Sequence, residues 1–303
     1  MIRKPSEMNF ENKKFAMIIS GVAGIGKTTL ALSSPKPLFI DLDKGISRVE
    51  ARFRTDTDEV ESFEELKQDL TTTDLSSYET IVIDTGGKLL EMLKKVVIKE
   101  DSKNGKRDGN LSLQGYGAIK KKFREFIEFV KSLNKHLIIV FHASEVQLEN
   151  DLTGLRIRME GSSRDEVWDD IDIGGFVEMR GKNRTIGFSN CERYYAKGTH
   201  SVRGIYEIPY LDNSTKNTFV SDLFKKMKED LNEEIVLFNK YKGVMTLKSV
   251  IECSSSLNEL NEAYERVKNS EHALTSKDEL WFALNNRAKE LGVKYDKEKG
   301  LFA

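Results

Sequence analysis

Short apolar runs alternate with longer amphipathic segments through the first 150 residues of the chain. The apolar runs are uninterrupted, as in parallel strands that are buried on both faces, and they occupy residues 15–20, 38–42, 80–84 and 135–141. Segments between them carry apolar residues at helical spacing, which predicts helices at residues 62–70, 88–99 and 116–133. A brief helix from Lys27 is expected to end before Pro35, which disfavours helix at the preceding residue. This alternation predicts βαβ units and a mostly parallel sheet.

The pattern changes after residue 150. Three short segments alternate between apolar and polar residues like antiparallel strands, at residues 176–180, 184–189 and 192–196. From residue 221 onward the sequence is polar and helical in character, and we predict helices at residues 221–241, 246–252, 256–269 and 277–291. We therefore expect an α/β core with a small antiparallel extension at residues 1–220, followed by a helical C-terminal module at residues 221–303.

Composition narrows the class of protein. Of the 303 residues, 32% are charged and 39% are hydrophobic, and the formal net charge is −1. Because the chain is not strongly basic, any contact with DNA must come from a local patch. Cys191 and Cys253 lie far apart in the sequence, which argues against a zinc site or a disulfide framework. The N-terminus lacks the apolar segment of a signal peptide, and no apolar run approaches about 18 residues. We expect a cytoplasmic protein with no membrane partner.

Residues 18–30 contain the motif that says most about function, an apolar run followed by G-x-x-x-x-G-K-T and the start of a helix. This order is typical of a P-loop, whose glycines let the backbone curl and bring its N–H groups close to phosphate oxygens. Lys27 is expected to contact the β- and γ-phosphates, and Thr28 to offer a hydroxyl to Mg²⁺. The motif predicts ATP and Mg²⁺ as cofactors, with the nucleotide bound by Gly21, Val22, Ala23, Gly24, Ile25, Gly26, Lys27, Thr28 and Thr29.

Polar residues at the ends of three apolar runs are candidates for catalysis. Asp84 ends the third run as the acid of a Walker B motif does, and beside a P-loop such a carboxylate holds Mg²⁺. Asp43 follows the second run, where it is either placed to orient the attacking water or is a solvated loop acid. His142 follows the fourth run, where it either contacts the γ-phosphate or bonds only to backbone groups.

Cations in two loops and in the antiparallel extension are candidates for binding phosphate groups. Lys197 lies in the extension, where it is either a solvated surface cation or, as in ring or filament ATPases, a cation that reaches the γ-phosphate of a neighbouring subunit. Acidic residues offset the positive charge of the two loops given below, so the alternative interpretation is that both are solvated flexible loops. Nucleic-acid contacts are expected from Lys103, Lys106 and Arg107 in the first loop and from Arg156, Arg158 and Arg164 in the second.

The order of these motifs resembles the phage-type AAA domain proteins, which are RecA-like P-loop ATPases of single-strand annealing or recombination. The resemblance covers roughly residues 10–210 and rests on the P-loop with its short helix, Pro-Lys-Pro-Leu-Phe-Ile-Asp-Leu-Asp-Lys-Gly, Ile-Val-Ile-Asp-Thr, Gln-Gly-Tyr-Gly and Ile-Ile-Val-Phe-His. It implies a RecA-like core in which Asp43 stands where these enzymes have a catalytic Glu. It also implies a polar sensor at His142, an intersubunit cation at Lys197 and DNA-binding roles for the two basic loops.

The resemblance implies an ATP hydrolase that acts on single-stranded DNA in recombination or annealing, as a homo-oligomeric ring or filament. The helical module resembles modules of phage recombination proteins more weakly, and binding of a single-strand-binding protein by it is a further expectation. Two alternatives stay open. One is a nucleotide-binding switch or scaffold without significant turnover, because Asp43 is one methylene shorter than Glu. The other is a small-molecule or nucleotide kinase, whose lid would be residues 151–166 with their three arginines.

Overall fold

The computed structural model describes residues 3–147, 153–158, 166–199, 202–270 and 276–303. It is a mixed α/β protein, which confirms the predicted fold class. The chain forms two compact units, one of residues Lys13–Met227 and one that combines Met1–Asn12 with Lys228–Ala303. The helices are α1 (Lys27–Ala31), α2 (Phe63–Thr72), α3 (Gly86–Glu100), α4 (Leu113–Ser132), α5 (Phe219–Cys253), α6 (Leu257–Lys268) and α7 (Ser276–Glu290).

One sheet dominates the larger unit. Its strands are β1 (Ala16–Gly21), β2 (Pro37–Asp41), β3 (Thr57–Asp58), β4 (Thr80–Asp84), β5 (His136–Gln147), β6 (Thr153–Ile157), β7 (Ile173–Arg180), β8 (Asn183–Gly187) and β9 (Ile205–Glu207). Their order is β3-β2-β4-β5-β1-β7-β8-β9, with β6 paired to β5. The six strands from β3 to β7 run parallel, whereas β6, β8 and β9 are antiparallel to their neighbours. The carboxyl ends of β1, β2, β4 and β5 therefore meet at one edge of the sheet.

The central strands are buried along their whole length because helices cover the sheet. One hydrophobic cluster joins strand residues such as Ile18 and Ile83 to helix residues such as Leu66, Leu93 and Phe123. This two-sided burial explains the uninterrupted apolar runs of the sequence. The predicted β1, β2 and β4 agree with the structure within one residue at each end, and β5 continues six residues beyond its predicted end.

Polar caps define where the helices of the larger unit begin. Ser62, Thr85 and Ser112 each accept a hydrogen bond from a backbone N–H in the first turn of α2, α3 and α4, respectively. Such caps satisfy donors that have no partner inside the helix. Thr85 directly follows Asp84, so the cap fixes the position at which α3 leaves the carboxyl edge of the sheet.

We call residues 101–112, between α3 and α4, the basic loop. The alternative interpretation of the sequence was a solvated flexible loop, but internal hydrogen bonds organise this segment. Asn104 is buried, and its side chain donates to the carbonyl of Val97 at 2.8 Å. Gly105 forms an antiparallel bridge with Leu111, and the Ser112 hydroxyl donates to the carbonyl of Lys103 at 2.6 Å. The loop is therefore a defined platform for its exposed cations.

The antiparallel extension differs from its prediction in one element. The first two predicted strands correspond to β7 and β8, but residues 192–196 form only an isolated bridge between Tyr194 and Leu155. The third antiparallel strand is β9 instead. Tyr194 is buried and stacks on Phe176, with ring centroids 4.6 Å apart. The alternation at residues 192–196 thus reflects side-chain packing without a ladder of hydrogen bonds.

The smaller unit contains the C-terminal helices and a short hairpin of β10 (Tyr295–Asp296) and β11 (Leu301–Phe302). Its core includes Leu260, Leu284 and Phe302. The two helices predicted at residues 221–241 and 246–252 are one continuous helix, α5, that passes through Gly243. A glycine inside a helix costs about 1 kcal/mol relative to alanine, which is too little to interrupt it. In the parts of the chain that are described, no helix combines the length and apolar character needed to cross a membrane.

Candidate functional site

The predicted nucleotide-binding residues form a tight turn between β1 and α1. Gly24 and Gly26 have φ angles of 76° and 87°, in the left-handed region that L side chains rarely adopt. Gly26 is the N-cap of α1, and its carbonyl accepts from the backbone N–H of Leu30 at 3.1 Å. The turn lies at the carboxyl end of β1, where backbone N–H groups and the start of a helix favour an anion.

Lys27 is buried at the base of this turn. The residue is only 4% exposed, and its Nζ donates to the carbonyl of Val22 at 2.7 Å. Nζ also lies 3.3 Å from Nδ1 of His142. Burial lowers the pKa of Lys27 from 10.5 to about 8, although the negative charge of Asp84 raises it in part. A buried ammonium that lacks a full counter-charge is suited to bind a phosphate.

Thr28 and Asp84 come together as the motif predicts. The Thr28 hydroxyl donates to Oδ2 of Asp84 at 2.6 Å, which joins the P-loop to the end of β4. Burial raises the pKa of Asp84 from 3.8 to about 6, against the lowering effects of the Thr28 hydrogen bond and of the Lys27 charge. One hydroxyl and one carboxylate fit Mg²⁺, which usually takes few protein oxygens and completes its shell with phosphate and water.

Asp43 is held by a loop that another aspartate organises. Asp41 is buried, and its carboxylate accepts from the backbone N–H groups of Gly45 and Ile46, each at 2.8 Å. Oδ2 of Asp43 accepts from Arg48 at 3.0 Å, and the side chain of Asp43 is 35% exposed. Sequence reasoning missed the loop-organising role of Asp41 and the pairing of Asp43 with Arg48. The local signal for such a loop is an Asx turn, in which Oδ1 of Asp41 accepts from the backbone N–H of Asp43, two residues on, at 3.3 Å.

His142 and Arg158 lie beside the same edge of the sheet. His142 is half-buried, and burial together with the Lys27 charge lowers its pKa, so the neutral ring can accept at Nδ1. The backbone N–H of Arg158 donates to the carbonyl of His142 at 2.7 Å. A cleft of about 620 Å³ is lined by these two residues together with Asp43, Thr85, Lys88 and Tyr116. The cleft therefore begins at the candidate catalytic groups and extends to the N-terminal part of α4.

The remaining predicted nucleic-acid contacts have different surroundings. The three cations of the basic loop, Lys103, Lys106 and Arg107, are exposed. Arg156 is buried instead, and its guanidinium donates to the carbonyls of Leu155, Arg193 and Glu192. Arg164 lies outside the described residues. Arg158 and the basic loop are therefore exposed to a ligand, whereas the guanidinium of Arg156 is occupied by backbone carbonyls.

Lys197 is separated from the P-loop within this chain. Nζ donates to the carbonyls of Trp168 and Asp169 at 2.9 and 3.2 Å. Its backbone bridges Gly174 of β7, which is in register with Ile18, three residues before the end of β1. Its expected action on the nucleotide of a neighbouring subunit stays a prediction.

Comparison with known families adds one finding. A family model described as an AAA domain matches residues 13–200, which is more than half of the chain. The matched range includes the P-loop, β4 with Asp84, and β5 with His142. Among curated proteins, none matches this sequence.

Proposed function

This chain belongs to the AAA domain family, and we propose that it is a magnesium-dependent ATPase whose turnover is controlled by single-stranded DNA. The observation that carries the proposal is the meeting of Lys27, Thr28 and Asp84 at one edge of the sheet. A buried cation for phosphate and a hydroxyl–carboxylate pair for Mg²⁺ are the two parts that nucleotide hydrolysis requires.

The residues divide the chemistry between them. The P-loop backbone and Lys27 hold the phosphate chain, and Thr28 and Asp84 hold the metal. Held by Thr28 and Asp84, Mg²⁺ would supply positive charge that offsets the negative charge developing on the phosphates. Asp43 orients the attacking water and accepts its proton, and the hydrogen bond from Arg48 fixes its carboxylate. His142, which already contacts Lys27, is placed to respond to the γ-phosphate.

Single-stranded DNA is the proposed effector because the cleft beside Asp43 and His142 has the chemistry for it. Arg158 can neutralise a phosphate of the strand, and Tyr116 offers an aromatic face for a base. The exposed cations of the basic loop extend this surface. Occupation of the cleft changes the surroundings of the catalytic groups directly, which is how an effector can control turnover. A role in annealing or recombination, and assembly into a homo-oligomer, are part of the same proposal.

The proposal is tested by steady-state ATP hydrolysis with and without single-stranded DNA. We expect DNA to stimulate the wild-type rate, and Lys27→Ala to abolish Mg-ATP binding and turnover while the protein still folds. Arg158→Gln should reduce the degree of stimulation. Arg124→Gln is the matched control, because Arg124 pairs with Asp170 on the outer side of α4. Wild-type turnover in Lys27→Ala would overturn the P-loop assignment, and equal rates with and without DNA would overturn the effector.

The Asp43–Arg48 ion pair favours a second candidate, a nucleotide-dependent switch with slow turnover. The hydrogen bond from Arg48 occupies Oδ2 of Asp43, which leaves this oxygen less available to accept the proton of a water. Tight Mg-ATP binding with a slow rate that DNA leaves unchanged would select this switch over the DNA-controlled ATPase. Acceleration by Arg48→Ala would show that the ion pair limits the rate.

A further inference from the structure

Arg184 lies beside the P-loop although it is distant from it in sequence. β7 runs parallel to β1, with Val177 in register with Gly21, so both strands end at the same edge of the sheet. β8 is antiparallel to β7, and Val177 pairs with Ile186. Arg184, two residues earlier in β8, is therefore at the edge from which the P-loop emerges.

The guanidinium of Arg184 packs against the backbone of Gly26. A Cβ atom built on Gly26 would overlap Nη1 of Arg184 and would lie 3.3 Å from Cζ. Gly26 therefore has two reasons to be glycine, its positive φ and this close approach. A side chain at this position would displace the guanidinium from the P-loop.

The described residues around the Arg184 guanidinium supply no counter-charge. Within the described ranges, its guanidinium makes no hydrogen bond or ion pair, although the residue is only partly exposed and burial lowers its pKa. Three other arginines of this unit are paired with carboxylates: Arg180 with Glu178, Arg124 with Asp170 and Arg48 with Asp43. Partly buried charges are normally paired, since removal from water without a partner is unfavourable. The position is thus suited to an anion that the described residues do not supply.

We propose that Arg184 is a second cation of the nucleotide site, which the same chain supplies from β8 and which donates its N–H groups to the phosphate chain held by the P-loop. The inference rests on the nucleotide site proposed above. A planar guanidinium offers several donors in a fixed arrangement that matches phosphate oxygens. Because it rests on the residue that precedes Lys27, it is close to the anion that the P-loop amides select. Lys27 and Arg184 then approach the phosphates from α1 and β8, respectively.

Binding measurements on variants of Arg184 test this directly. Isothermal titration calorimetry would compare Arg184→Gln, Arg184→Lys and wild type, first with Mg-ATP and then with magnesium and inorganic tripolyphosphate. We expect the Kd of both ligands to rise about tenfold to one-hundredfold in Arg184→Gln, the effect of losing one charged hydrogen-bonding partner. Arg184→Lys keeps the charge but loses the planar arrangement, so its Kd should lie between the other two.

Arg180→Gln is the matched control, because Arg180 lies in the same hairpin but its guanidinium bonds to Glu178. Thermal unfolding of each variant checks that the hairpin is intact, and Arg184→Lys keeps the test usable if Arg184→Gln folds poorly. An unchanged Kd for both ligands would overturn the assignment while leaving the nucleotide site in place. Weaker ATP binding with unchanged tripolyphosphate binding would also overturn it, since the contact would then be to the nucleoside. A wild-type protein that binds neither ligand would overturn the nucleotide site itself.

Discussion

Replacing Asp84 with asparagine should make the nucleotide-free protein more stable at neutral pH while it weakens Mg²⁺ binding. Asp84 is 8% exposed, and burial raises its pKa from 3.8 to about 6. At 1.36 kcal/mol for each pKa unit, this shift makes the ionised carboxylate cost the fold about 3 kcal/mol above pH 6. The attraction of Lys27 is already included, because it acts to lower the same pKa. Asparagine has nearly the same shape and can still accept from Thr28, so it removes mainly the buried charge.

The raised pKa of Asp84 also determines how the stability difference between Asp84→Asn and wild type changes with pH. A raised pKa means that the folded state holds a proton more tightly than the unfolded chain, so wild-type stability increases as pH falls from about 6 to about 4. The advantage of Asp84→Asn should therefore be about 3 kcal/mol at pH 7.5 and should nearly vanish at pH 4. Urea unfolding in the presence of EDTA at both pH values measures it. Asp43→Asn, at a side chain 35% exposed, is the control and should change stability by less than about 1 kcal/mol. An Asp84→Asn protein less stable than wild type at pH 7.5, or an advantage that acid leaves unchanged, would refute the reasoning.

Three further predictions concern the site and the basic loop. Nucleotide affinity measured by calorimetry should be highest between about pH 6 and about pH 8, because Asp84 is protonated below this range and Lys27 loses its charge above it. A constant affinity from pH 5 to 9 would contradict these shifts. Gly115→Ala should lower the unfolding free energy by about 1–3 kcal/mol, because the new Cβ would overlap the Asn104 carbonyl. Gly117→Ala has no neighbour within 4 Å of the new Cβ and should raise the unfolding free energy by up to about 1 kcal/mol. Equal melting temperatures for the two variants would count against the packing of the basic loop. Alanine at all three loop cations should weaken DNA binding and reduce the slope of log affinity against log salt by about 2, and an unchanged slope would remove the loop from the DNA site.

The parts of the fold that the sequence predicted are those that local pattern determines. The central strands of the parallel sheet are apolar throughout because they are covered on both faces. β1 and β4 could therefore be predicted from their own residues, without information on the strands that pair with them. The P-loop could be predicted as well, because Gly24 and Gly26 supply the positive φ angles that this single turn requires. The cap of α2 is also a local feature, because the hydrogen bond from Glu65 to the Ser62 hydroxyl spans only three residues.

The parts that the sequence did not predict depend on residues far apart in the chain. Residues 192–196 alternate like a strand, but the alternation comes from Tyr194 packing on Phe176. Nothing near Arg184 in sequence indicates that it meets Gly26, because the contact requires β7 to pair with β1 and β8 to turn back on β7. The mutual orientation of Asp43 and Arg48 likewise depends on how Asp41 folds the loop between them.

The site combines two buried ionisable groups, Lys27 and Asp84, and burial favours the neutral form of each. Burial shifts the pKa of Lys27 down and that of Asp84 up, and the attraction between them compensates only part of each shift. A phosphate chain alone would stabilise Lys27 but would repel Asp84, and a divalent cation alone would do the reverse. Only a ligand that brings both charges compensates both residues at once, so magnesium and the triphosphate favour each other's binding. If the proposed function holds, the two shifted groups would make this turn selective for the metal–nucleotide complex over either component, and Arg184 would add to the binding of the phosphates.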